Sequence, residues 1–197
     1  MIKKIGLKLF VPWTLWILAT LTYFHQYYLR VSVSSLSNHL MQDFFLTIID
    51  LSDLAALFFL SYIITLPVAG LVLDRFGLKI LPLATGIAGI SCFIFAYSRN
   101  ETQLIIARLL MGSASSFSLM ATLIVIRHYF RKELFSILSG FTMTLGVLGG
   151  VCAGGPLVVA SNLADWRKLM GYAGLGAFMI AIFFYISIDK KNMTHNE

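Results

Sequence analysis

Long uncharged runs, separated by short charged stretches, set the pattern of this chain. The twenty residues from Leu54 to Leu73 carry no Asp, Glu, Lys or Arg, and neither do the nineteen from Ile80 to Ser98. Further charge-free windows run Leu9–Leu29, Leu109–Ile126, Leu134–Leu163 and Leu169–Ile188. About twenty apolar residues in a helix cross a hydrocarbon layer of about 30 Å. Barrel strands would instead alternate over about ten residues. The pattern therefore predicts an all-α polytopic membrane protein with six transmembrane helices, at about 10–36, 51–73, 80–98, 102–130, 134–161 and 168–188. Together they form one domain, residues 1–190, followed by a polar tail, 191–197, expected to be unstructured. The first helix is expected to continue past Arg30, because "VSVSSL" offers no breaker. The longest loop, about Ser37 to Asp53, carries Asp43, Asp50 and Asp53.

Composition agrees: 197 residues, 58% hydrophobic, only 12% charged, with mean hydropathy +0.84. Soluble domains run nearer a quarter charged. The net charge of +6 does not call for a nucleic acid, because the basic residues sit in short loops at span borders, where topology accounts for them. With the N-terminus inside, the inner side holds Lys3, Lys4, Lys8, Arg75, Lys79, Arg127, Arg131, Lys132, Lys190 and Lys191, while the outer side holds Arg99, Arg167 and Lys168. That asymmetry places both termini in the cytoplasm and the chain in the plasma (inner) membrane. Lys3, Lys4 and Lys8 before an apolar run resemble a signal peptide, but no small-residue cleavage site follows, so the run reads as an uncleaved first span.

Candidate chemistry is sparse. Cys92 and Cys152 both fall inside apolar runs and read as small packing residues. No metal-ligand spacing occurs, no nucleophile–base–acid constellation appears, and no cofactor is called for. "GGVCAGGP" lies inside a span, lacks a following Lys-Ser/Thr and follows no strand, so it is not a nucleotide loop. The chain reads as a non-enzyme.

The stretch "GLVLDRFGLKI", residues 70–80, places Asp74, Arg75 and Lys79 between Gly70 and Gly77, in a very short turn between the second and third spans. Topology alone explains the two bases, but not the acid or the glycines. This G-x-x-x-D-R-x-G-x-K pattern resembles the signature loop of the major facilitator superfamily, with Gly70, Asp74, Arg75, Gly77 and Lys79 matching and Leu73 and Leu78 departing. "ARLLMG" adds Arg108 and Gly112 at the family's R-x-x-x-G spacing, and "GVLGGVCAGGP" resembles the glycine-rich fifth helix of family antiporters. The resemblance covers essentially the whole chain. It implies a six-helix half built as a 3+3 inverted repeat and a secondary transporter working by alternating access. It also implies that residues 70–79 form a gating loop that latches the cytoplasmic side.

Family members usually carry two such halves, so the resemblance implies a second six-helix half as partner, in a separate chain or a homodimer. Gly146, Gly150 and Gly154 recur every fourth residue, a small-residue row that lets helices approach closely in lipid. By the resemblance this row packs against the other half; packing inside this half is the alternative.

The first span carries the candidate solute site. Thr20, Tyr23, Gln26, Tyr27, Arg30 and Ser34 follow three- and four-residue spacings and share one face. Lipid would reject Gln26 and Arg30, so the face is expected to line a cavity. A guanidinium suits carboxylate or phosphate, which makes Arg30, with Tyr23, Gln26 and Tyr27, a receptor for a small organic anion. The alternative is that Arg30 snorkels at the headgroups. "YYLR", residues 27–30, resembles the first helix of the organophosphate antiporter and anion:cation symporter branches, although Leu29 stands where symporters carry an acid. Arg108 is a coupling residue by resemblance, or else a structural hydrogen-bond donor. An unperturbed imidazole titrates near neutrality, so His25 reads as either a proton carrier or a packing histidine. Two functional readings follow: a transporter half for a small, anionic organic solute, or a truncated or degenerate fragment serving as a non-transporting membrane interaction protein.

Overall fold

A computed structural model describes the backbone of residues 2–195 and the side chains of residues 11–188. The expectations placed on Lys3, Lys4, Lys8, Lys190 and Lys191 lie outside the described side chains. The described chain is helical almost throughout: α1 (Ile2–Ser35), α2 (Ser37–Phe44), α3 (Ile48–Phe76), α4 (Ile80–Ala96), α5 (Glu101–Tyr129), α6 (Lys132–Leu163) and α7 (Trp166–His195). Continuation of the first helix beyond Arg30 is seen. α7 runs to His195, past the expected end at 188 and into the tail expected to be unstructured.

Local chemistry sets the boundaries. At the start of α3, Thr47 and Asp50 form a reciprocal capping box: the Thr47 amide donates to Asp50 Oδ2 at 2.7 Å and the Asp50 amide donates to Thr47 Oγ1 at 3.3 Å. Asn100 caps α5 by accepting from the Gln103 amide at 2.9 Å. Asp165 accepts from the Arg167 amide at 2.9 Å at the start of α7. Between α3 and α4, Gly77 takes φ 65° and ψ −159° and a short 3-10 turn covers Gly77–Lys79. L-residues avoid that conformation, so the glycine is what permits the turn.

The expected loop at Ser37–Asp53 is in part helical. α2 occupies Ser37–Phe44, holding Leu40 in the core. Its Asp43 carboxylate accepts from Trp166 Nε1 at 3.0 Å and pairs with Arg167 at 3.4 Å. Phe45 then ends the helix in the left-handed region, φ 55°.

Four helical stretches among the described residues are long and apolar enough to cross a membrane: Ile48–Ala96, Glu101–Tyr129, Lys132–Leu163 and Trp166–Ile188. The described part of α1, residues 11–35, is not among them. The stretch Ile48–Ala96 doubles back at Gly77. α3 runs parallel to α5, with Leu54 near Arg108 and Gly70 near Met120. α4 runs antiparallel to α5, since Leu81 clusters with Val125 whereas Phe95 clusters with Leu104.

The most extensive helix pairings are α1 with α6, α3 with α5, and α4 with α7. Two apolar clusters stabilise the bundle. One, around Leu29, Leu54, Phe58, Phe95, Leu104 and Met111, lies toward the capped starts of α3 and α5. The other, around Leu15, Leu73, Leu81, Val125 and Phe184, lies toward Gly77. Between them sits a layer of buried polar side chains from α1, α4 and α5, including Thr22, His25, Gln26, Thr85, Ser115 and Ser118.

Candidate functional site

α1 presents the candidate site against α3, α5 and α6. Arg30 is half-buried, and its guanidinium carbon lies 4.8 Å from the Tyr27 ring centroid, 5.0 Å from that of Phe59 and 5.5 Å from that of Tyr62. Three π-faces around one cation form an aromatic box that stabilises the charge without neutralising it. Phe59 and Tyr62 of α3 were not anticipated; their three-residue spacing put them on one face, but nothing in the sequence directed that face toward Arg30.

Tyr23 and Tyr27 stand edge to face with centroids 5.1 Å apart, their hydroxyls 3.5 Å from each other. Tyr23 is buried against Gly146. Gln26 is buried, and its Oε1 accepts from Ser118 Oγ of α5 at 2.7 Å. Two donors in this region have no acceptor: Arg30 Nε and Gln26 Nε2 are both buried atoms without a partner. Among the described residues, no carboxylate pairs with Arg30.

Arg108 is fully buried. Its Nε donates to the Leu54 carbonyl at 3.1 Å and its Nη1 to the Leu29 carbonyl at 2.9 Å, and the group lies 4.8 Å from the Phe58 ring centroid. The residue therefore ties α5 to α3 and α1 through backbone acceptors. Its Nη2 has no partner. His25 faces away from the Arg30 box, with Nε2 donating to the Ala173 carbonyl of α7 at 3.0 Å. The structure thus brings Tyr23, Tyr27 and Arg30 together, keeps Gln26 adjacent, and sets Arg108 and His25 apart as helix ties.

In the turn at 70–79, Asp74, Arg75 and Lys79 are all exposed, and Asp74 makes no ion pair among the described residues. Gly70 faces Met120 of α5 at ordinary contact distance. The glycine row of α6 divides. A Cβ on Gly146 would strike the Tyr23 ring, and one on Gly150 would lie 3.4 Å from Val31 at the edge of ordinary contact, so both face α1 within this half; of the row, Gly154 opens to free space. The tightest approach is at Gly149, outside the expected row, where a Cβ would collide with the Phe24 carbonyl. Gly112 has the same role on α5, seated on the Phe58 carbonyl and Ser61. Four-residue spacing identifies a row of small residues but not the neighbour it meets.

The family model of the Major Facilitator Superfamily matches residues 15–197. The chain belongs to that superfamily. It is accordingly an integral membrane protein of a family of secondary transporters, a family that is generally non-enzymatic. A comparison with curated proteins gave no match. In this superfamily member, the R-x-x-x-G pair Arg108 and Gly112 acts on one contact: both meet α3 within one turn, at Leu54 and Phe58.

Proposed function

We propose that the chain is a six-helix unit of an alternating-access secondary transporter whose α1 face recognises a small organic anion. One observation carries the choice of an anion. Arg30 Nε and Gln26 Nε2, one helical turn apart, are donors without acceptors, and buried donors left unmade are costly. Both atoms are covered in this conformation, so a carboxylate or phosphate reaches them as the helices part in alternating access, and the guanidinium supplies the charge. The aromatic box holds Arg30 in place while leaving its charge for the solute.

The six long helices, all crossing the membrane, form two three-helix sets. The pairing of α1 with α6 and of α3 with α5 is what an exchange of α1, α3, α4 with α5, α6, α7 would produce, which supports a 3+3 inverted repeat. The excess of basic residues at the Asp74 end supports cytoplasmic termini in the plasma (inner) membrane. Exposed Asp74, Arg75 and Lys79 are free to latch onto a second six-helix unit. The exposed apolar side of α6, with Val147, Leu148 and Val151 beside Gly154, supports such a partner. Arg108 and His25 serve in this reading as fixed joints between helices.

The test is ligand-dependent thermal stabilisation of the purified protein, with a panel of sugar phosphates and small carboxylates against neutral sugars and organic cations. Stabilisation by anions alone, lost in Arg30→Ala, is the expected outcome. No stabilisation by any solute, with a light-scattering mass of one chain, would favour a non-transporting interaction protein instead.

A further inference from the structure

Behind the α1 face, the polar layer between the two apolar clusters contains a small, partly enclosed pocket. Its wall is Thr22, His25, Gln26, Thr85, Ser115 and Ser118, closed by Leu81, Ala88 and Ala114. The space accommodates about one water molecule. Most of the wall is already bonded. Thr22 Oγ1 donates to the Ala19 carbonyl and Thr85 Oγ1 to the Leu81 carbonyl, while Ser118 Oγ has one hydrogen to share between Gln26 Oε1 and the Ser115 carbonyl.

Besides Gln26 Nε2, two groups of the wall are not accounted for. Ser115 is buried, and its Oγ has no partner, unlike the other serines of this layer. His25 uses Nε2 against the Ala173 carbonyl. A carbonyl only accepts, so Nε2 carries the proton and Nδ1 of the neutral ring is left as an acceptor.

We infer that this cavity binds a single ordered water that accepts from Ser115 Oγ and donates to His25 Nδ1. The hydroxyl oxygens of Thr22 and Thr85 keep lone pairs free to receive its second hydrogen. Dry cavities are apolar, whereas a polar, water-sized one with two to four available partners is hydrated. The water satisfies the unbonded serine and links α5 to α1 at a level where the helices meet mainly through small polar side chains. It also stands beside Ser118, which holds Gln26 Oε1, so it fixes the amide that presents Nε2 toward the solute face. The site is a property of the helix bundle and does not depend on what the solute is.

The test is X-ray radiolytic footprinting of the intact protein in lipid nanodiscs, which oxidises side chains touching ordered water. Expected is oxidation of His25 while Met111 and Met170, fully buried in the dry cluster, are spared, together with loss of the His25 signal in Ser115→Val, which fills the cavity. His25 as unreactive as Met111 and Met170 in the unmodified protein would overturn the inference. Undiminished His25 oxidation in a folded Ser115→Val variant would overturn it as well. The unmodified protein decides the matter by itself if that variant does not fold.

Discussion

Arg108 Nη1 donates to the backbone carbonyl of Leu29 at 2.9 Å, joining two residues 79 positions apart. Nε of the same guanidinium reaches the Leu54 carbonyl. Both acceptors already serve their own helices, and the Leu29 carbonyl also accepts from Ser32 Oγ at 2.9 Å, so the arginine adds a further, charged donor to each. One side chain thereby sets the separation of α1, α3 and α5.

Arg108→Lys is expected to be more damaging than Arg108→Met. A lysine keeps the buried charge but cannot span both carbonyls, whereas methionine removes the charge at similar volume. Loss of one charge-assisted bond costs about 1.5–3 kcal/mol, while replacing a buried ionic group by a well-packed apolar one is often near neutral. Thermal unfolding in detergent checks the order; a lysine variant as stable as the parent would remove the tie from the account.

Gly112→Ala and Gly149→Ala are expected to destabilise by about 1–3 kcal/mol each, because their methyl groups would meet the backbone of a neighbouring helix that has to move. Gly154→Ala meets open space and is expected to leave stability unchanged. Any effect of that third variant on solute uptake then reports the surface offered to a second unit.

In the turn after α3, Gly77→Ala forces an L-residue to φ 65° and ψ −159°, at a cost of about 1–3 kcal/mol. Asp74→Asn touches an exposed carboxylate and is expected to preserve stability while reducing transport. Uptake by Asp74→Asn equal to the parent at equal membrane abundance would rule out a gating part for this acid.

Tyr62→Leu opens one side of the box around Arg30. The lost cation–π contact corresponds to about 0.5–2 kcal/mol, so anion affinity is expected to fall by a few-fold to some thirtyfold. Arg30→Lys, which keeps the charge and loses the planar fork, is expected to weaken binding further. Isothermal titration with the best anion of the panel measures both.

Helix positions were legible because apolar length and turn chemistry are local. The break at Gly77 and both ends of α6 lie within a few residues of the charge-free windows, whereas α1 and α5 extend six to eight residues beyond theirs. α2 was not legible: "SNHLMQDF" is mostly polar, and it is held by Leu40 in the core and by Asp43 on Trp166 and Arg167, partners more than a hundred residues away.

By itself, the sequence determined the helical membrane class, the family signature around Asp74, and the polar face of α1 that carries Tyr23, Tyr27 and Arg30. Helical periodicity says which residues share a face. It does not say which helix covers that face, and backbone carbonyls, the acceptors of Arg108 and His25, leave no trace in residue identity. Tertiary structure alone therefore decided three things: that Phe59 and Tyr62 complete the box around Arg30, that Gly146 and Gly150 serve α1, and that Arg108 is anchored by two carbonyls and no acid.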